Sequence, residues 1–283
     1  MNIYESENKI IIENLNFFDL SDTFECGQCF RFNKINNQTK EDWFDCFDGV
    51  AFGKYLRITK ESDKIYLETS LEDFNNIWRG FFDIDRNYKK IFDFLRHDEI
   101  LKQASDFCPG IRILRQEPFE CLISFIISQN NNIPRIKKII ERLCENFGEK
   151  IIYADKHYYA FPSAEKIAGL KPEDLDIIKS GFRAKYIHEA AERIASGEIN
   201  LDFIFDLNAD DGLEYLKQLK GVGNKVASCV LLYAYNKLES FPVDVWIKRV
   251  TEKYYPVDFD YKKTFGEYAG LANAYLFYYE RKK

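Results

Sequence analysis

Leu219-Lys220-Gly221-Val222-Gly223-Asn224-Lys225-Val226-Ala227 is a glycine-punctuated turn running into an apolar segment, and Phe241-Pro242-Val243-Asp244-Val245-Trp246 follows it. Two glycines around one valine make a tight turn, because glycine admits positive φ and lets another backbone approach closely. A turn of this kind, leading into a helix N-terminus, directs backbone N–H groups outward and suits a phosphate oxygen. Behind it, Val226, Cys229, Val230 and Tyr233 recur at spacings of three and four, which predicts a buried helix over 226–235 closed by Asn236-Lys237. Lys225 opens that helix and shares a face with Cys229. An amine entering apolar surroundings is a candidate nucleophile, since desolvation favours its neutral form. Asp244, beyond a turn marked by Pro242, offers a carboxylate to stabilise positive charge. Taken singly, a lysine is most often a solvated surface charge and Gly-x-Gly is a weak motif. The combination is far more specific.

Leu-x-Gly-Val-Gly-x-Lys-x-Ala with a downstream Pro-Val-Asp resembles the helix-hairpin-helix, Gly/Pro-rich loop and aspartate of a DNA glycosylase superfamily (HhH-GPD). Within it, the surroundings are most similar to the 8-oxoguanine DNA glycosylases. The similarity covers most of the chain. It is strongest over 26–32, 111–142, 180–186 and 219–246, and weaker over 268–277.

Length and composition set the outer bounds. At 283 residues the chain suits two domains with ample core, and its 25 Phe, 18 Tyr and 3 Trp exclude a disordered protein. A formal net charge of −6 argues against a general basic coat for nucleic acid. Local runs matter more for a partner: Arg135, Lys137, Lys138 and Arg142 form one, and Lys179, Arg183 and Lys185 another. Either is equally an ordinary solvated face. Seven cysteines, an odd number, with no apolar signal region, point to a reducing cytoplasmic setting. The apolar runs are too short to span a membrane. Cys26-Gly27-Gln28-Cys29 has zinc or redox spacing, but no second pair completes four ligands, so no metal or cofactor is expected. Some relatives in the similar superfamily carry a four-cysteine iron–sulfur loop after the hairpin. This chain has no cysteine after Cys229, so that cluster is not expected.

The fold class is α+β. Short aromatic and β-branched runs at 9–13, 29–32, 43–47, 55–58 and 64–68, separated by polar turns, predict an antiparallel sheet with one covered face. From about Asn87 the period becomes helical, with Tyr88, Ile91, Phe92 and Leu95 on one face, and Pro109-Gly110 marks a break. Helices are expected over 118–128, 134–147, 164–168, 172–178, 184–196 and 211–219, and one aromatic helix over 261–279. No strand-rich region is expected to return. The expected organisation is an N-terminal antiparallel (TBP-like) sheet domain over 1–106 and an all-α glycosylase domain over 107–283, in two subdomains flanking a cleft, as the resemblance implies.

The resemblance also implies roles. An enzyme acting on a base must extrude it from the stack, and so needs a wedge, readers for the orphaned partner, a pocket and a nucleophile. Asn130 matches the gap-filling asparagine, Phe182 the aromatic wedge, and Arg135 and Arg183 the two cytosine readers. Guanidinium donors suit the O2 and N3 acceptors of cytosine. The Gly27 carbonyl would accept a hydrogen bond from N7–H, a donor that 8-oxoguanine has and guanine lacks, and an unmade buried hydrogen bond costs roughly 1–3 kcal/mol. Cys229 and Phe277 would sandwich the base. Asn273 stands where the family has a glutamine reading the Watson–Crick edge, one methylene shorter. Trp246 stands where a histidine usually contacts phosphate, and Gly221 and Gly223 would hold a phosphate near the lesion. Lys225 would attack C1′ with Asp244 stabilising the charge, giving glycosylase and lyase activity through a Schiff base. The implied partner is double-stranded DNA containing 8-oxoguanine, bound by a monomer without membrane or metal.

Two rival readings stay open here. One is a glycosylase for another damaged base. Alkyl-base enzymes of the superfamily generally lack the hairpin lysine. The other is a non-catalytic hairpin module gripping the DNA backbone, which would keep Gly221 and Gly223 without needing Lys225 and Asp244 together.

Overall fold

Ile10 and Ile12 are fully buried while Lys9, Ile11 and Glu13 beside them are not, the alternation of a strand with one covered face. In the computed structural model, which describes residues 1–7, 9–35 and 45–283, this strand β2 (Lys9–Glu13) belongs to a six-stranded antiparallel sheet. The others are β1 (Asn2–Ser6), β3 (Phe32–Lys34), β4 (Asp45–Ala51), β5 (Lys54–Glu61) and β6 (Lys64–Leu67), in the order β1-β2-β6-β5-β4-β3. Register sets Ile10 opposite Leu67 and Ile12 opposite Ile65, so the buried side chains stand in one row. Phe24 on the helix Leu20–Glu25 stacks on Phe32 at 4.5 Å, and Phe81 lies 5.7 Å from the same ring.

Sequence and structure differ here in places. The strand expected over 29–32 begins only at Phe32, because Gly27 is left-handed (φ 84°) and the Gln28 side chain turns inward, which bends the chain into a loop. Of the strand expected over 43–47, Trp43 and Phe44 lie outside the described residues, and β4 takes up at Asp45. The edge strand β1 and the helix Leu20–Glu25 were not expected.

The chain forms two compact units, one of residues 1–49, 56–115 and 243–283, the other of 50–55 and 116–242. The boundary expected at 106/107 falls in the last turn of the helix Glu99–Phe107, inside the first unit. In that unit Arg112 is buried, and its guanidinium donates to the carbonyls of Asn16 (2.9 Å), Phe17 (3.0 Å) and Asp83 (2.8 Å) while lying 4.3 Å from the Tyr88 ring centre. A buried charge is tolerated when its donors are satisfied in this way. Unit one also holds the helices Tyr88–Leu95, Val245–Tyr254 and Ala269–Lys282. The single helix expected over 261–279 is interrupted: Tyr261–Phe265 stops at Gly266 (φ 52°), and Ala269–Lys282 starts afresh.

The second unit is built on the helices Pro118–Ser128, Ile133–Phe147, Arg183–Ala195, Ala209–Leu216 and Asn224–Tyr233. Pro118–Ser128 follows its sequence signals to the residue, with Pro118 in the first turn and Glu117 accepting from the amides of Phe119 and Glu120. Gly212 brings Ala209–Leu216 against Asn224–Tyr233 so closely that a methyl group there would stand 2.8 Å from Leu231. The unit is not purely helical. β7 (Lys150–Tyr153) and β8 (Lys156–Tyr159) pair as a hairpin, with Tyr55 stacked on Tyr153 at 4.1 Å. Among the described residues no helix is long and apolar enough to cross a membrane.

Candidate active site

In the second unit, Ala209–Leu216, the turn through Gly221-Val222-Gly223 and Asn224–Tyr233 make a helix-hairpin-helix. Gly221 is left-handed (φ 79°), and a Cβ there would meet the Tyr186 ring at 2.5 Å. Gly223 is extended and exposed, with nothing within 4 Å of a Cβ position. The first glycine is thus required by the fold, whereas the second leaves open space in front of the backbone. Val222 is buried beneath and pins the turn.

Lys225 stands in the first turn of Asn224–Tyr233 and is half-buried. Its Nζ lies 3.4 Å from Ser128 Oγ and 5.0 Å from the centre of the Phe125 ring. Phe125 is itself stacked on Tyr233 of the lysine's own helix at 5.5 Å. Among the described residues the amine is therefore held between a hydroxyl and an aromatic face rather than in an ion pair. Cys229, one turn along, is buried at 3% exposure.

The asparagine triplet divides its labour. Asn131 donates to Ile127 O (3.2 Å), and Asn132 caps Ile133–Phe147 by accepting from the Arg135 amide (3.0 Å). Asn130 is left-handed (φ 46°) and exposed, and its carboxamide makes no hydrogen bond among the described residues. Arg183 is 4% exposed, and its guanidinium donates to the carbonyls of Gln129, Ser180 (3.1 Å) and Asn130 (3.2 Å). Burial, and then the nearby charge of Arg135, lower its pKa. Arg135 is exposed, with no partner for its guanidinium among the described residues. Phe182, 55% exposed, lies 4.5 Å from the Arg183 guanidinium and meets Tyr186 edge-on at 6.0 Å. Asn130, Phe182 and Arg183 are thus one cluster.

In the first unit, Asp244 caps the helix Val245–Tyr254. Its Oδ1 accepts from the amides of Trp246 and Ile247, each at 2.9 Å, and among the described residues nothing donates to Oδ2. Trp246 is half-buried, with the Arg249 guanidinium 5.1 Å from its ring. Asn273 is buried and Phe277 half-buried, one turn apart on Ala269–Lys282. Gly27 is half-buried at the head of a loop whose neighbours Cys26, Gln28 and Cys29 are all buried. The Cys26 thiol donates to Thr23 O (3.3 Å), and burial pushes its pKa up to about 12.

Sequence reading missed Gln28, Tyr186, Ser128 and Phe125. Tyr186 supports both Phe182 and Gly221, while Ser128 and Phe125 frame the amine. The apolar run over 118–128 announces a helix but not which of its side chains a distant lysine meets. Gln28 carries the one usable signal, a polar side chain inside a run of otherwise buried types.

The comparisons agree with this architecture. Residues 9–122 match the profile of the 8-oxoguanine DNA glycosylase N-terminal domain, and residues 123–270 that of HhH-GPD superfamily base excision DNA repair proteins. The chain is 32% identical over 230 residues to a Methanothermobacter thermautotrophicus protein named as a probable N-glycosylase/DNA lyase, covering 71% of this chain and 73% of that one. It is 37% identical over 191 residues to the Saccharomyces cerevisiae N-glycosylase/DNA lyase, covering 62% of this chain but only 50% of the yeast protein. The Clostridium acetobutylicum 8-oxoguanine glycosylase/lyase, solved with double-stranded DNA containing cytosine opposite 8-oxoguanine, superposes with a TM-score of 0.93 at 40% identity, covering 100% of this chain and 98% of that one. With a hairpin lysine, a capping aspartate and both profiles in register, the chain belongs to the HhH-GPD superfamily of base excision DNA repair proteins and carries the N-terminal domain of its 8-oxoguanine glycosylases.

Proposed function

We propose that the protein is a bifunctional 8-oxoguanine DNA glycosylase and abasic-site lyase acting on duplex DNA with cytosine opposite the lesion. What supports this above all is Lys225, a half-buried amine between Ser128 and Phe125 directly behind a glycine turn that can hold phosphate. Extruding the base costs about a few kcal/mol of stacking and pairing. Phe182 wedges the stack, Asn130 fills the vacated space, and Arg135 and Arg183 read cytosine. Gly221, Gly223 and Trp246 engage phosphates. By the family resemblance Cys229 and Phe277 each take one face of the base, Asn273 its Watson–Crick edge, and the Gly27 carbonyl accepts N7–H.

Lys225 Nζ then attacks C1′ as the glycosidic bond breaks. The base leaves with the bonding pair and takes up a proton, while Asp244 stabilises the oxocarbenium-like charge. The sugar ring opens to an imine between C1′ and Nζ. Loss of a proton from C2′ expels the 3′ phosphate, and water releases the lysine. The imine is the electron sink for this elimination, so the scheme calls for no metal or cofactor. One copy of the chain carries every residue named, so a monomer is the proposed working unit. Seven free buried cysteines fit a reducing, cytoplasmic setting.

The test is borohydride trapping on a duplex bearing one 8-oxoguanine opposite cytosine. The wild type should become covalently attached to DNA, and Lys225→Gln should not. Binding without base release or adduct in the wild type would leave a hairpin protein that only grips DNA.

A further inference from the structure

We infer that Gln28 is a positioning residue for base recognition, holding the Gly27 carbonyl where the extruded base is read. The inference rests on the reading of Gly27 as the acceptor of N7–H. A glycine carbonyl is a poor discriminator unless something fixes it, because glycine has the widest backbone freedom and Gly27 sits at φ 84°. That carbonyl belongs to the peptide unit joining Gly27 to Gln28, so whatever anchors Gln28 sets the plane of the reading group.

Gln28 is anchored unusually well. It is 0% exposed, a rare position for glutamine. Its Nε2 donates to Thr23 O at 2.9 Å and to Arg112 O at 2.7 Å, and its Oε1 accepts from Leu114 N at 2.9 Å. The supports are themselves tied. Thr23 Oγ1 donates to Gly110 O (3.0 Å) and accepts from Arg112 N (3.3 Å). The Arg112 guanidinium is fixed by the carbonyls of Asn16, Phe17 and Asp83. One amide side chain thus couples the Gly27 loop to a segment more than 80 residues away in sequence. Its neutrality suits the task, since both its donor and acceptor ends meet backbone partners.

A merely structural glutamine would, on removal, lower every activity in step with stability. A positioning one affects the step in which a base is read and spares the step in which none is present. The full-length Gln28→Met chain should therefore be compared with wild type on two duplexes, one with 8-oxoguanine opposite cytosine and one with a preformed abasic site. Single-turnover base excision should fall by at least about tenfold, as expected for a misplaced buried hydrogen bond, while borohydride trapping on the abasic site stays within about twofold. In a Lys225→Gln background, the binding preference for 8-oxoguanine over guanine should contract by a similar factor. Gln28→Glu, which keeps the acceptor for Leu114, is measured the same way if the methionine chain does not fold. An unchanged ratio of excision to trapping in the variants, or an equal loss of both, overturns the inference. A wild type that traps abasic sites without preferring 8-oxoguanine sinks the Gly27 reading instead, and is distinguished by that arm alone.

Discussion

Arg183 donates to the backbone carbonyl of Asn130, so the arginine that the family resemblance makes a cytosine reader also holds the residue proposed to fill the gap beside it. Its further bonds to Gln129 and Ser180 occupy most of its donors, whereas the Arg135 guanidinium stands free among the described residues. The two arginines should therefore separate on substitution. Arg135→Ala is expected to stay within about 0.5 kcal/mol of wild-type stability and to relax the preference for cytosine by roughly tenfold. Arg183→Ala is expected to cost about 1–3 kcal/mol as well, since it unseats three carbonyls. Thermal unfolding, together with excision opposite cytosine and adenine, measures both; equal stability losses would contradict the division.

The hairpin glycines should separate too. Gly221→Ala forces a left-handed alanine against Tyr186 and should destabilise by about 1–3 kcal/mol or more. Gly223→Ala meets nothing and has ordinary backbone angles, so stability should hold within about 0.5 kcal/mol. Its methyl nonetheless stands where a phosphate would approach. Duplex affinity should drop by at least about tenfold, the worth of a hydrogen bond to a charged group. Denaturation curves and a DNA titration at fixed salt check the pair.

Asp244 is both a helix cap and the proposed charge stabiliser, and two substitutions pull these apart. Asn caps about as well as Asp, while Ala costs about 1 kcal/mol. Asp244→Asn should thus keep its unfolding temperature and still lose excision by roughly a hundredfold or more in single-turnover measurements. Wild-type rates in the asparagine variant would reduce Asp244 to a cap.

Asp22 provides a pH signature. Burial, then the adjacent Asp19 carboxylate, push its pKa up to about 6 from an ordinary 3.8. A carboxyl that holds its proton more tightly folded than unfolded stabilises the fold fully below pH 3.8, and that contribution is lost as pH rises to about 6. Asp22→Asn keeps an acceptor for the Gly110 amide and never ionises. It should match wild type near pH 4 and exceed it above pH 6. The gain is about 1 kcal/mol once solvent screening is allowed for, as unfolding across that range would reveal.

How far the sequence could be read depended on the range of the interaction. Pro118–Ser128 carries its own cap and period, Asn224–Tyr233 its apolar period behind a glycine, and the motif around Gly221, Lys225 and Asp244 is contiguous enough to recognise. The β7–β8 hairpin was missed although Lys150–Tyr153 and Lys156–Tyr159 are β-branched and aromatic. Its turn uses Ala154 and Asp155 at positive φ, and alanine announces no such turn. The long C-terminal helix was read through Gly266 because a glycine inside an apolar period signals a break only weakly. The roles of Gln28, Tyr186 and Ser128 arise from contacts between distant segments, which local pattern does not encode.

The placement of sulfur bears on survival under oxidative stress, the condition that produces 8-oxoguanine. All seven thiols are buried, and Cys26, beside the glycine proposed to read the base, has its pKa pushed up to about 12, so the thiolate that peroxide attacks is almost absent there. The single methionine is Met1, which leaves the interior without a thioether to oxidise. Such a distribution of sulfur leaves peroxide few thiolates or thioethers to attack in the protein that removes peroxide's product from DNA.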